Sequence, residues 1–596
     1  MFKMNSVWLI GIALCVFWLG YRFYSRFIAY RIFSLNSTRL TPAVKFNDGK
    51  DYVPTNKWVV FFYHYATIAG AGVLIGPTLA AQYGWLPCIC WILIASCLAG
   101  GVHDLVVLVA SVRNDGKSIG QIAFSEIGVI VGTAVSIAIL FLVATTIAGL
   151  SLGVVAALEA NPWGTFSVAM TVPIALLMSI YLRWLRPGRV FEATCIGILL
   201  MLLALIFGKF VGDSSFSSVF TLSKEKLIVL LAIYSFIAAL LPVHVLVVPR
   251  NYLNAYIKFG IMILLVFGVL LIHPNIKMPP VTEYIAGQGP VMPGALWPFL
   301  FIIITCGAIS GWHTLCCSGV TPKIISDERH IRAIAYGGWL LESLSAVLAL
   351  VLACSLIPQD YFAINASSAA FAKTGMAPVE LPILSKSIGL QLQAKPGGAT
   401  SIAVGIALTF SKLLGGERAL AIWYQFAILF LGIWTLAIVD HGTRMSRYLY
   451  QECLGHFYKP LGRLGWLPAA IFASAIGTFF WAWLLYTGRI EVLWPIFGIC
   501  NQLLATIGLA VGTTFILKYT KPIYSLITLL PMLFFAVVSF NAGLLKIKGC
   551  LATRNPVATI QAIILMVVIL LVAVVLIDSL CKWLTILKAN KRYKSV

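Results

Sequence analysis

Ile68-Ala69-Gly70-Ala71-Gly72-Val73-Leu74-Ile75-Gly76-Pro77 is the stretch on which the reading of this chain turns. It lies inside an apolar run over 58–82, long enough to cross a bilayer. Three glycines and a proline so close together are costly in a helix interior. In hydrocarbon, a freed backbone group must find a partner other than water. The run therefore reads in one of two ways. It is a close helix crossing, since small residues let backbones approach. Or it is a discontinuous helix whose exposed N–H and C=O groups form a substrate or ion site. On the second reading Gly70, Gly72 and Gly76 are substrate-binding positions.

The rest of the chain has the same character. Of 596 residues, 60% are apolar and only 10% are charged. So little charge over this length indicates an all-α polytopic membrane protein. The formal charge of +22 does not imply nucleic acid, because the basic residues punctuate apolar spans and form no single stripe. They read as topology determinants. The 13 cysteines are scattered, with no CxxC and no Cys/His cluster at zinc spacing, so neither a metal nor another cofactor is expected. The first apolar run lacks a small-residue cleavage site and is followed by Arg22 and Arg26, which makes it an uncleaved span.

Apolar runs separated by polar or Pro/Gly turns place fifteen spans. They lie over about 6–24, 58–82, 85–112, 127–157, 166–184, 192–210, 227–249, 256–273, 296–318, 333–356, 419–440, 464–487, 493–517, 523–543 and 559–584. The shorter run 399–414 reads as re-entrant or interfacial. Seven Lys and Arg residues make the 22–57 loop cytoplasmic, which puts the N-terminus outside and the C-terminus inside. In this scheme Arg250, Lys258, Arg444 and Arg447 also belong to cytoplasmic connections. Three regions follow: 1–57, the first span and basic loop; 58–456, a transport core; and 457–596, further spans and a basic tail.

Ionisable groups inside a membrane are rare and are usually functional. His103-Asp104 lies in the 85–112 span, where a proton-coupling role competes with a packing role for Asp104. Adjacent helix positions point about 100° apart, so this pair need not touch. His64 lies near the glycine-rich break, close enough to face the same cavity. Pro242 and His244 interrupt the 227–249 run. Ser310 and His313 sit in Cys306-Gly307-Ala308-Ile309-Ser310-Gly311-Trp312-His313, where small residues and a hydroxyl suit close packing or cation coordination. Glu342 is a further proton candidate. Asp440, in Asp440-His441-Gly442-Thr443-Arg444, is either another one or a charged helix end meeting water. Asn501-Gln502 reads as interhelical glue. No GxSxG, HExxH or Walker A motif is present, so the chain does not read as an enzyme, and ATP-driven transport has no support.

Ordered motifs along the chain resemble the carbon starvation protein A (CstA) family of peptide and pyruvate transporters. They include Asp48-Gly49-Lys50-Asp51-Tyr52-Val53-Pro54-Thr55, the 68–77 stretch, Gly101-Val102-His103-Asp104 and Leu241-Pro242 with Pro249-Arg250. Further along come Ser318-Gly319-Val320-Thr321-Pro322-Lys323, Asp440-His441-Gly442-Thr443-Arg444, and Leu493-Trp494-Pro495-Ile496-Phe497-Gly498 with Asn501-Gln502. The resemblance implies an inner-membrane secondary transporter that imports short peptides or pyruvate by proton symport and is linked to carbon starvation. It also implies a five-plus-five inverted repeat like that of the amino acid–polyamine–organocation superfamily. The halves would lie near 58–210 and 227–440, with 227–249 as the second interrupted helix. The chain departs from the family pattern at Tyr63, Val73, Val243-His244, Gln425 and Leu431, and two titratable groups are thereby lost. A channel, a structural membrane protein, and a carrier for another small carboxylate or amino acid are the alternatives.

Overall fold

The computed structural model describes residues 4–49, 51–242, 245–463 and 465–592. Among them the secondary structure is helical and no strand forms. Among the described residues twelve helices are long and apolar enough to cross a membrane, or thirteen when the bent pair Lys57–Ile68 and Gly72–Tyr83 counts as one span. The protein is an all-α polytopic membrane protein.

The first helix, α1 (Ser6–Leu19), leads into the basic loop. The glycine-rich stretch is a break. α2 (Lys57–Ile68), N-capped by Asn56, ends where Ala69 turns extended. α3 (Gly72–Ala80) then restarts at an angle of 49°. Four helices follow: α4 (Trp85–Arg113), α5 (Val129–Leu158), α6 (Pro162–Leu185) and α7 (Val190–Gly212). Next come α8 (Lys224–Leu240) and α9 (Val247–Ile272). A second broken segment consists of α10 (Leu296–Ile303) and α11 (Gly311–Cys317), with 304–310 unwound between them. The chain continues as α12 (Glu328–Cys354), the short buried α13 (Ala399–Leu413) and α14 (Leu420–Phe457). It closes with α15 (Leu467–Thr487), α16 (Ile490–Tyr519), α17 (Leu526–Ala552) and α18 (Pro556–Arg592).

The broken segments sit at the centre. α3 packs on α10 and α12, and α11 packs on α4 and α16. α2 lies against α9, and the long helices α5 and α14 cross beside them. α6 and α7 pair with each other, and α17 and α18 lie against α16. Glycine explains the closest approach. A Cβ on Gly76 would stand 2.6 Å from the backbone carbonyl oxygen of Ile303, so only glycine lets the broken segments touch there.

Three expectations need correction. The 227–249 run is interrupted, but as the junction of two separate helices and not as a break inside one span. α8 ends at Leu240, before Pro242, and α9 is a separate helix. The break lies instead at 304–310, inside a run that reads as one continuous span, because hydropathy cannot see where backbone bonds are released. Arg250 and Lys258 are not loop residues: they lie in α9, 2% and 0% exposed. Arg444 and Arg447 are also buried, because α14 runs on to Phe457. Their guanidinium groups donate to the carbonyls of Ala238, Leu241 and Ala239 at the end of α8. These four cations therefore act as internal partners of helix ends, carboxylates and ring faces.

Candidate functional site

The α2–α3 break leaves backbone carbonyls at the last turn of α2 without intrahelical donors. Each of three finds a partner. The ammonium of Lys258, from α9, donates to the carbonyl oxygens of Ala66 (2.8 Å) and Ala69. The indole N–H of Trp312, from α11, donates to the carbonyl of Thr67 at 3.1 Å. On the other side of the break, α3 begins with bonds from Val73 to Gly70 and from Leu74 to Ala71. Gly70, Gly72 and Gly76 are buried there.

The 304–310 break is served differently. Asn501, on α16, accepts from the Trp312 backbone N–H at 3.0 Å. Its amide also lies near Thr305 and Ser310 at 3.3–3.4 Å. Gln502 donates to the Phe301 carbonyl (2.5 Å), and the Trp494 indole donates to that of Ile303 (3.2 Å). The expected glue role of Asn501-Gln502 thus has a definite object, the second break.

Between the breaks lies a fully buried chain of titratable side chains. His103 and Asp104 do touch: the ring N–H at Nδ1 of His103 donates to Oδ1 of Asp104 at 2.8 Å. His313 Nδ1 donates to the other carboxylate oxygen at 2.7 Å. The other ring nitrogen of His103, Nε2, meets the Thr314 hydroxyl at 2.9 Å. His313 Nε2 then meets Oε2 of Glu342, from α12, at 3.0 Å. That approach is off hydrogen-bond alignment, and His313 Nε2 and both Glu342 oxygens have no hydrogen-bond partner. A lone pair facing a carboxylate at this distance, with both groups fully buried, is strongly repulsive. The His313–Glu342 pair therefore holds one proton, either on the imidazole or on the carboxyl.

The expected site residues thus fall into separate groups. Asp104, His103 and Glu342 come together around His313, which the sequence singles out without its partners. His64 joins them from α2: its Nδ1 meets the Thr321 hydroxyl at 2.9 Å. His64, Asp104 and Cys317 bring one donor atom each within 4.8 Å of one another. Ser310 lies in the second break. Asp440 stands in another network, paired with Arg250 at 2.7 Å and accepting from the Tyr234 hydroxyl at 3.0 Å. It is neither at a helix end nor in water. Pro242 is in an exposed turn, and His244 lies outside the described residues. Lys258, Thr314 and Thr321 are contributors that only the packing reveals.

A family model described as carbon starvation protein CstA matches residues 5–542. A peptide transporter CstA of Campylobacter jejuni is 43% identical over 91% of this chain and 81% of its own length. A peptide transporter CstA of Bacillus subtilis is 40% identical over 98% of both chains. A pyruvate/proton symporter BtsT of Escherichia coli is 38% identical over 91% of this chain and 82% of its own.

Proposed function

The chain belongs to the carbon starvation protein CstA family, and from that premise we propose that it is a secondary active transporter importing a small carboxylate substrate with protons. The substrate is a short peptide or pyruvate, as the names of the relatives suggest. The membrane is the cytoplasmic one, with the N-terminus outside and the C-terminus inside. The observation that carries the reading is the 3.0 Å approach of His313 Nε2 to Glu342 Oε2, both fully buried between the two helix breaks.

The substrate carboxylate binds at the start of α3, against the N–H groups of Gly70, Ala71 and Gly72, since those of Val73 to Ile75 already bond within the turn. A helix N-terminus favours negative charge by about 0.3–1 kcal/mol, up to ~2 kcal/mol where partly buried. The proton of the His313–Glu342 pair is taken up from one side of the membrane and released to the other. Asp104 fixes the tautomer of both histidines, and His64 extends the cluster towards Thr321. Two repeats organise the movement. One comprises α2–α3, α4, α5, α8 and α9; the other comprises α10–α11, α12, α14, α15 and α16. What supports this partition is reciprocal packing: α3 on α12, α11 on α4, α2 on α9 and α11 on α16. In the charge-derived topology the two broken segments also run in opposite directions.

Proteoliposomes loaded with unlabelled substrate test the reading. A carrier exchanges labelled pyruvate or dipeptide by counterflow, and an inward proton gradient drives its accumulation. Competition between the two classes identifies the substrate. Flux with neither saturation nor exchange would point to a channel and defeat the proposal.

A further inference from the structure

Lys258 is wholly buried in the middle of α9, and among the described residues no carboxylate lies within ion-pairing distance of it. A desolvated ammonium without a counter-ion costs several kcal/mol unless other negative poles replace water. Here those poles are the carbonyl oxygens of Ala66 and Ala69, at the C-terminal end of α2, and the face of Trp434 at 5.0 Å. A helix C-terminus carries the negative end of the macrodipole, and an indole face attracts a cation. Glu342 and Cys316 act on Lys258 only at longer range, and His441 faces it from α14. Carbonyl oxygens released by a helix break are the ligands that hold a bare monovalent cation.

We propose that the Lys258 ammonium is the resident cation of the first break, filling from the chain itself a site that would otherwise take a monovalent ion. Substrate binding then needs no sodium or other alkali ion, and the end of α2 is held to α9 by a charge the protein carries. Removing that ammonium leaves a carbonyl-lined vacancy that accepts a small cation from solution. This inference deepens the transport reading, because it leaves the proton as the only coupling ion.

The test uses the purified full chain at constant pH and ionic strength, in choline, sodium or methylammonium chloride. It reads thermal unfolding and, in proteoliposomes, substrate exchange. The parent is expected to unfold at the same temperature and exchange at the same rate in all three salts. Lys258→Ala is expected to exchange at least about tenfold more slowly in choline. Its unfolding temperature should rise saturably in methylammonium or sodium, with exchange partly restored. Lys258→Met fills the vacancy with a neutral chain and should respond to no salt. A parent that sodium stabilises or activates would overturn the proposal, as would a Lys258→Ala protein indifferent to every cation. If neither variant folds, the parent alone decides, since sodium dependence refutes a resident cation and sodium independence upholds it. The unfolding readout needs no transport, so a chain that carries no substrate would defeat the function proposed above without touching this inference.

Discussion

The two helix breaks meet the same requirement in opposite ways. At 69–71 two of the three released carbonyls are held by a charge, the ammonium of Lys258, and the third by the Trp312 indole. At 304–310 the work falls to neutral donors and acceptors from α16: Asn501, Gln502 and the Trp494 indole. Neutral side-chain bonds are short-ranged and keep their number in any charge state, so the second break is anchored to its scaffold. A cation–carbonyl contact responds to the electrostatics around it, and Glu342 and His441 supply those electrostatics. On the transport reading proposed above, the first break is the one that moves with the coupling proton and the second is the reference against which it moves.

The comparison breaks most severely where the two segments touch. Gly76→Ala places a Cβ against the Ile303 carbonyl, a backbone atom that cannot swing aside. Overpacking of this kind costs about 1–3 kcal/mol or more. The expected result is a large fall in unfolding temperature together with loss of transport. Gly70→Ala is the milder partner: its nearest contact is the tip of the Ile438 side chain, which can rotate. Stability close to that of the parent is expected, and if both variants behaved alike the contact between the segments would not be the reason.

Asn501→Ala comes next. It removes the acceptor for the Trp312 N–H and leaves buried polar groups unpaired, at about 1–3 kcal/mol. Because neutral side chains hold this break, the variant should lose stability without acquiring any dependence on cations, as read by unfolding in choline and sodium. Cation dependence appearing here would erase the distinction between the breaks. The smallest effect is at Pro242. In its exposed turn Pro242→Ala should shift stability by no more than about 0.5 kcal/mol and leave exchange unchanged. A strong transport defect would restore that proline to the substrate site.

What was legible in the sequence follows from what residues state locally. Gly70, Gly72, Gly76 and Pro77 disfavour a continuous helix by their own backbone chemistry, so the first break could be read directly. Thr305 to Ser310 contain one glycine within an apolar run, and their unwinding depends on Asn501, nearly two hundred residues away. Lys258 and Arg250 were misread because basic residues between apolar runs ordinarily mark loops. Only packing shows that a carbonyl pair, a ring face and Asp440 replace water around them. The importance of Asp104 could be inferred from the cost of a carboxylate in an apolar span. Its place in a line with His313 and Glu342 could not, since those residues come from three helices that no local pattern links.

The central claim is that the proton held between His313 and Glu342 drives uptake. Glu342→Gln keeps the shape of the side chain and offers His313 a permanent neutral partner, so the pair can no longer take up and release that proton. The decisive measurement compares, in one proteoliposome preparation, accumulation under an imposed inward proton gradient with counterflow in its absence. The account predicts that Glu342→Gln abolishes accumulation above equilibrium while counterflow persists, because exchange requires no net release of a proton. A Glu342→Gln protein that accumulates substrate against a gradient like the parent would contradict it.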